Sequence, residues 1–227
     1  MRRIILVACL LSCGLAGCDQ DAVPPVLDAD RSEGLPPNHP EVDELRSLAT
    51  SRGSGRLSVN QLRLSFPLVA GQTPDGEDIS WGNLERYAAA LGEPDYADVT
   101  IENLDPSPLY AKFMDDASRD VCGRILDNDP QLDAAQDRTL YRFVDVLDTV
   151  ETNPAGVDQN LRYLKLRFHG VRVPDDDAQG IAPLRTLFAR GVEAARGTQS
   201  ALTEAHVREG WRLVCVALMT APEFHIY

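Results

Sequence analysis

Five cysteines and four histidines are the residues of this chain best suited to metal or redox chemistry, and their spacing limits what they can do. Cys9, Cys13 and Cys18 crowd into one short N-terminal stretch. A thiolate metal site needs CxxC-type pairs with further Cys or His ligands close by. Cys9 and Cys13 are instead separated by three residues inside an apolar run, and no histidine follows until His39. The other histidines, His169, His206 and His225, do not pair at helical spacing, and the zincin pattern is absent. Covalent haem attachment needs C-x-x-C-H, which the chain lacks. Asp175, Asp177 and Gln179 alternate before Gly180 as oxygen donors do in a calcium loop, but the twelfth position is Thr186 where a bidentate Glu is needed. A solvated loop between helices is the better expectation there. No GxSxG elbow, Walker glycines or dinucleotide fingerprint is present. Carboxylates are too abundant for any pair to stand out as acid and base. The residues therefore nominate no catalytic group, no metal ligand and no cofactor.

The N-terminal cysteines have a different explanation. Arg2 and Arg3 precede the apolar run Ile4 to Leu11, and small residues follow, which is the order of an export signal. The run is far shorter than the roughly 20 residues that span a bilayer core. Leu15-Ala16-Gly17-Cys18 closes the segment and resembles the lipobox of bacterial lipoprotein precursors. That resemblance implies cleavage after Gly17, a diacylglyceryl group on the Cys18 thiol and an acylated new amino terminus. Cys9 and Cys13 would leave with the signal. One acyl chain binds a membrane only marginally, whereas two or three on one residue anchor it durably. Asp19 next to the lipidated cysteine resembles the enteric inner-membrane retention signal, which favours the inner over the outer membrane. The expected place is the cell envelope, facing the periplasm.

The precursor carries 22 basic and 35 acidic residues, a net charge of −13, and removing Arg2 and Arg3 with the signal makes it −15. Such a chain repels nucleic acid and anionic headgroups, so its expected partners are the bilayer through acylated Cys18 and another envelope protein. From Asp19 to Pro40 the chain has five prolines, five acidic residues and no aromatic. This composition cannot bury a core and is expected to remain a disordered tether. Three regions follow: a signal peptide over 1–17, the lipidated cysteine and tether over 18–40, and a helical domain over 41–227.

Apolar spacing in that domain is helical nearly throughout. Ser58 to Gln61 has the capping-box pattern and opens a helix that Pro67 should interrupt. Leu84, Tyr87, Ala88 and Leu91 share a face and Gly92 supplies a stop. Pro108 after Ser107 starts a long helix whose stripe is Tyr110, Phe113, Ala117, Val121 and Ile125. Leu140, Phe143, Val144, Leu147 and Val150 predict another. Leu161, Leu164 and Phe168 predict the next, ended by Gly170; Leu184, Leu187, Phe188 and Val192 follow. Val207, Trp211, Val214 and Leu218 predict the last, ended by Pro222. The expectation is an all-α, irregular orthogonal bundle of about seven helices.

Cys122 and Cys215 fall on two of these helices, each beside a stripe residue, Val121 and Val214. In an oxidising compartment two such thiols tend to pair, and closing so long a loop is worth about 4.5 kcal/mol in the chain-entropy account. Two unpaired buried thiols acting as small hydrophobes are the alternative.

The tail Gly210 to Tyr227, with Trp211 near the start of its helix and Pro222-Glu223-Phe224 beyond it, resembles the closing module of several large exported bacterial families of unknown function. Some members of those families are fused to cytochrome c modules. The stretch Arg56 to Gly71 is similar to their first helix. The resemblance implies an exported helical domain closed by its C-terminus, and it transfers no site residue. The leading functional expectation is a lipid-anchored envelope protein whose helical domain docks, without catalysis, onto a partner. Two other classes stay open: an accessory subunit of an envelope redox complex binding a cofactor non-covalently, and an enzyme acting on envelope polymers.

Overall fold

A computed structural model describes residues 55–95, Ala97 and 101–227. The signal segment, Cys18, the tether and residues 41–54 lie outside the described residues. Within them the chain is all-α: α1 (Val59–Ala70), α2 (Leu84–Tyr87), α3 (Pro108–Asn128), α4 (Pro154–His169), α5 (Ala182–Arg196), α6 (Glu204–Thr220) and α7 (Pro222–His225). Two 3-10 turns, Asp129–Gln131 and Ala135–Asp137, follow α3. Extended pairing among the described residues is limited to two isolated antiparallel bridges, Arg56 with Ile226 and Gln72 with Asp78.

Helix ends follow local chemistry. Ser58 Oγ accepts the Gln61 N–H while the Gln61 side chain accepts the Ser58 N–H, a reciprocal box that satisfies two donors at the start of α1. Ser107 caps α3 through the Tyr110 N–H, and Asn153 caps α4 through the Gly156 N–H. Gly170, at φ +66°, ends α4 in the left-handed region that glycine adopts without strain.

Two expectations need correction. Pro67 does not interrupt α1; the helix runs through it to Ala70. Pro67 sits in the last turn, so its missing N–H removes one ladder bond, to the carbonyl of Arg63, and little helix remains downstream to break. The segment from Leu140 to Val150 holds no helix, only bends and turns. Leu140, Tyr141 and Val144 are buried here without a helix, whereas Phe143 and Leu147 are exposed. The buried Asp129 carboxylate accepts the backbone N–H groups of Thr139, Leu140 and Tyr141, pulling these amides toward a side chain rather than into a helical ladder. Asn160 of α4 holds the next stretch, accepting the Phe143 N–H and donating to the Leu140 carbonyl. Side-chain bonds to the backbone compete with helix formation, and here they win.

The core centres on α6. Cys122 of α3 and Cys215 of α6 form a disulfide bond between two fully buried side chains, with Met219 Sδ 3.7 Å from Cys122 Sγ. On the adjoining face α5 crosses α6 at two glycines. A Cβ on Gly191 would lie 3.0 Å from Gly210 Cα, and a Cβ on Gly210 would lie 2.8 Å from the Phe188 ring and 2.9 Å from the Phe188 carbonyl. The approach lets Phe188 pack against Trp211 at 4.3 Å between ring centroids. After α6 the chain turns back: Phe224 packs between Phe66 of α1 and Phe168 of α4, each 6.3 Å away. The C-terminal residues then pair with the segment before α1, Gly55 and Tyr227 exchanging both backbone bonds.

The glycine crossing makes a directional prediction. Gly210→Ala should lose about 1–3 kcal/mol through overpacking, although alanine favours a helix by about 1 kcal/mol. Gly123→Ala on α3, where nothing lies within 4 Å of a new Cβ, should instead gain about 0.5–1 kcal/mol. Urea denaturation of both variants reads the two signs.

Candidate functional site

Helix α1 has more apolar side chains than its buried face can use. Val59, Leu62, Phe66, Val69 and Ala70 point into the core. Leu64 and Leu68, one turn apart, are 74% and 77% exposed on another face. Single exposed leucines are ordinary, but two in register beside a depression form a patch. The depression is an open groove of about 780 Å³. Its walls are Leu64, Pro67 and Leu68 of α1, the turn from Gly71 to Asp78, and Leu132 with Asp137 from the irregular segment after α3.

Each wall is held in place by identifiable bonds. The turn closes through Ile79 N–H to the Gly71 carbonyl and Thr73 N–H to the Glu77 carbonyl. Thr139 Oγ1 donates to the Ala70 carbonyl, tying the end of α1 to the irregular segment. Arg167 of α4 covers the same helix end: Nε donates to the Val69 carbonyl at 2.7 Å and Nη2 to the Leu68 carbonyl at 3.3 Å. A cation at this position also complements the negative end of the helix dipole. Arg63, at one side of the groove, bonds Glu85 and Glu93. That pairing holds the Glu85 carboxyl below its ordinary range.

A smaller pocket of about 190 Å³ lies at the opposite end of α1, beside the buried Arg56 and Tyr110. Arg56 is committed to structure here, while the buried Tyr110 hydroxyl has no hydrogen-bond partner among the described residues. Arg56 donates to the carbonyls of Leu57, Leu91 and Asn103 and to the Glu102 carboxylate. It stacks on Tyr110 at 4.9 Å. Burial pushes the Tyr110 phenol well above its usual pKa, so it stays neutral. Glu102 in turn accepts the Val59 N–H, capping α1 from outside the helix. This constellation anchors a helix and leaves little for a ligand.

The histidines also serve the backbone. His169 Nε2 bonds the Leu218 carbonyl, His225 Nε2 bonds the Thr220 carbonyl, and His206 Nδ1 accepts the Thr203 N–H at the start of α6. Among the described residues no cluster of His, Cys, Asp or Glu is arranged to hold a metal ion. Asp175 and Asp177 lie on an exposed loop, where Asp177 accepts the Gly180 N–H and Asp175 lies 4.0 Å from Arg162. No described helix is long and apolar enough to cross a membrane. Of the residues singled out in the sequence, Cys122 and Cys215 meet within the core, away from the groove, and Cys18 lies outside the described residues. The groove itself was missed, although Leu64 and Leu68 extend the apolar face of α1 beyond one stripe, a signal visible in the sequence.

No family model, curated protein or solved structure matches this chain.

Asp129 positions the Leu132–Asp137 wall through the amides just beyond it. Asp129→Ala would strand three buried amide donors and is expected to cost about 2–4 kcal/mol. A urea midpoint equal to that of the parent chain would remove Asp129 from this role.

Proposed function

We propose that this chain is a lipid-anchored protein of the cell envelope whose helical domain is a non-enzymatic docking module. The α1 groove is its contact surface and a segment of another envelope protein its occupant. The observation that carries the docking part is the exposure of Leu64 and Leu68 in register on the groove wall. Burying a leucine side chain is worth about 1.5–3 kcal/mol, so leaving two in water beside a preformed depression favours a covered state. Anchoring at Cys18 is supported by the lipobox-like Leu15 to Cys18, and the inner membrane is favoured by Asp19. The proline-rich, acidic stretch 19–40 would give the domain reach from the bilayer toward a partner. The bonds that Arg56, His169 Nε2 and His225 Nε2 make to backbone carbonyls support a binding rather than a catalytic reading.

Two variants of the full-length chain test the two parts separately. Cys18→Ala should abolish labelling by an azido-palmitate analogue and release the protein from the membrane fraction. Leu64→Asp with Leu68→Asp should keep the label and the melting temperature. On a native gel of mildly solubilised membranes, it should collapse a larger complex to the free chain. An unaltered complex would contradict the groove as contact surface, and an unlabelled parent chain would contradict the anchor.

A further inference from the structure

Beside the groove two arginines gather on one ring without a carboxylate ion-pair partner among the described residues. The chain has 35 acidic residues against 22 basic ones, so a surface guanidinium has many carboxylates to pair with. Arg63, Arg119, Arg124, Arg162, Arg185, Arg208 and Arg212 each do so. Arg142 and Arg167 do not: with Arg86, Arg138, Arg172, Arg190 and Arg196 they have no carboxylate ion-pair partner among the described residues, and what sets these two apart is where they meet. Both guanidiniums instead gather on one ring. Arg142 lies 4.9 Å and Arg167 6.0 Å from the centroid of Tyr163. Phe143 closes the group, edge to face with Tyr163 at 5.7 Å and 5.8 Å from Arg142. Asp129 acts on Arg167 only through its charge, without a direct bond. Asp129 gives its oxygens to three backbone amides, and Asp148 accepts from the Asp145 N–H and the Asn153 side chain.

The two arginines are pre-positioned and still hold free donors. Arg167 is fixed by the Val69 and Leu68 carbonyls and by Nη1 to the Tyr163 hydroxyl at 2.9 Å. Arg142 is fixed by one bond to the Gln136 carbonyl and by its two ring faces, with Nε and Nη2 making no bond among the described residues. Two like charges near one ring repel, and the ring quadrupole offsets only part of that. A carboxylate between them would relieve the repulsion and match the planar fork of a guanidinium. The group adjoins the groove directly, because the Leu68 carbonyl is an Arg167 acceptor and Gly71 lies within a side chain's reach of Arg167 Nη2. The groove's own lining includes the acidic Asp78 and Asp137. They disfavour an anionic lipid or nucleic acid along the groove while leaving one carboxylate free to sit at the arginine end.

We propose that the groove receives a peptide segment of a partner protein with apolar side chains followed by a carboxylate, the former on Leu64, Pro67 and Leu68 and the latter held by Arg142 and Arg167 over Tyr163. This rests on the docking reading above and gives it a direction. Recognition is by an apolar contact that supplies area and an ionic contact that sets register.

The test is selection of a random dodecapeptide library on the detergent-solubilised full-length protein. Enriched peptides should carry two apolar residues and an Asp or Glu at constant spacing. The strongest should bind about tenfold more weakly when that acid is changed to its amide. Arg142→Gln, which touches one carbonyl and two ring faces, should weaken the parent peptide about as much and should bind acid and amide peptides alike. Leu64→Asp with Leu68→Asp should abolish both. Loss with the leucine variant, but no acid preference or no effect of Arg142→Gln, would overturn the carboxylate proposal and leave the docking reading standing. Failure to enrich, enrichment of basic peptides, or binding indifferent to Leu64 and Leu68 would overturn both. Phosphatidylglycerol vesicles should not bind; leucine-dependent binding to them would replace the peptide with a lipid surface.

Discussion

The buried guanidinium of Arg56 is the constraint on which the arrangement of α1 depends. It draws together the segment before α1, the carbonyl of Leu91 at the end of the α2 region, and the loop that leads into α3. Its carboxylate partner, Glu102, caps the first turn of α1. A buried ion pair contributes little net stability, since desolvation offsets attraction, but it tolerates few alternative geometries. The same segment pairs with the last residues of the chain, so closure of the C-terminus and placement of α1 are one event. At its other end α1 is held by Arg167 and Thr139. A helix fixed at both ends has no freedom to roll its extra leucines into the core. The exposure of Leu64 and Leu68 is thus a consequence of how α1 is clamped.

The division of labour within the molecule follows from this. The α3–α5–α6 region, with its disulfide and its glycine crossing, supplies a rigid body. The groove is assembled at its margin from a helix wall, a bridged turn and an irregular segment. Binding surfaces built from loops on a rigid scaffold are the common case. Arg167 of α4 joins helix wall and arginine pair: it caps α1, and it has no carboxylate ion-pair partner among the described residues.

Much of the architecture was legible in the sequence because the signals were local. The boxes and caps at Ser58, Ser107 and Gly170, and the stripes of α3, α4, α5 and α6, all depend on neighbours a few residues away. What failed was decided by distant partners. Leu140 to Val150 has helical spacing, but Asp129 and Asn160 claim the backbone that a helix would need. Pro67 reads as a breaker, yet its position in the final turn makes its missing donor nearly irrelevant. The groove was half legible. Leu64 and Leu68 are surplus to the α1 stripe, whereas the pairing of Arg142 with Arg167 around Tyr163 joins residues that only the fold brings together.

The central claim is that the α1 groove is covered in the living cell. A photo-crosslinking amino acid placed at position 68 of the full-length chain tests it most directly, with position 190 on the exposed side of α5 as control. The account predicts a discrete adduct from position 68, absent from position 190 and lost with Leu64→Asp. No adduct at position 68, or the same adducts from both positions, would contradict it.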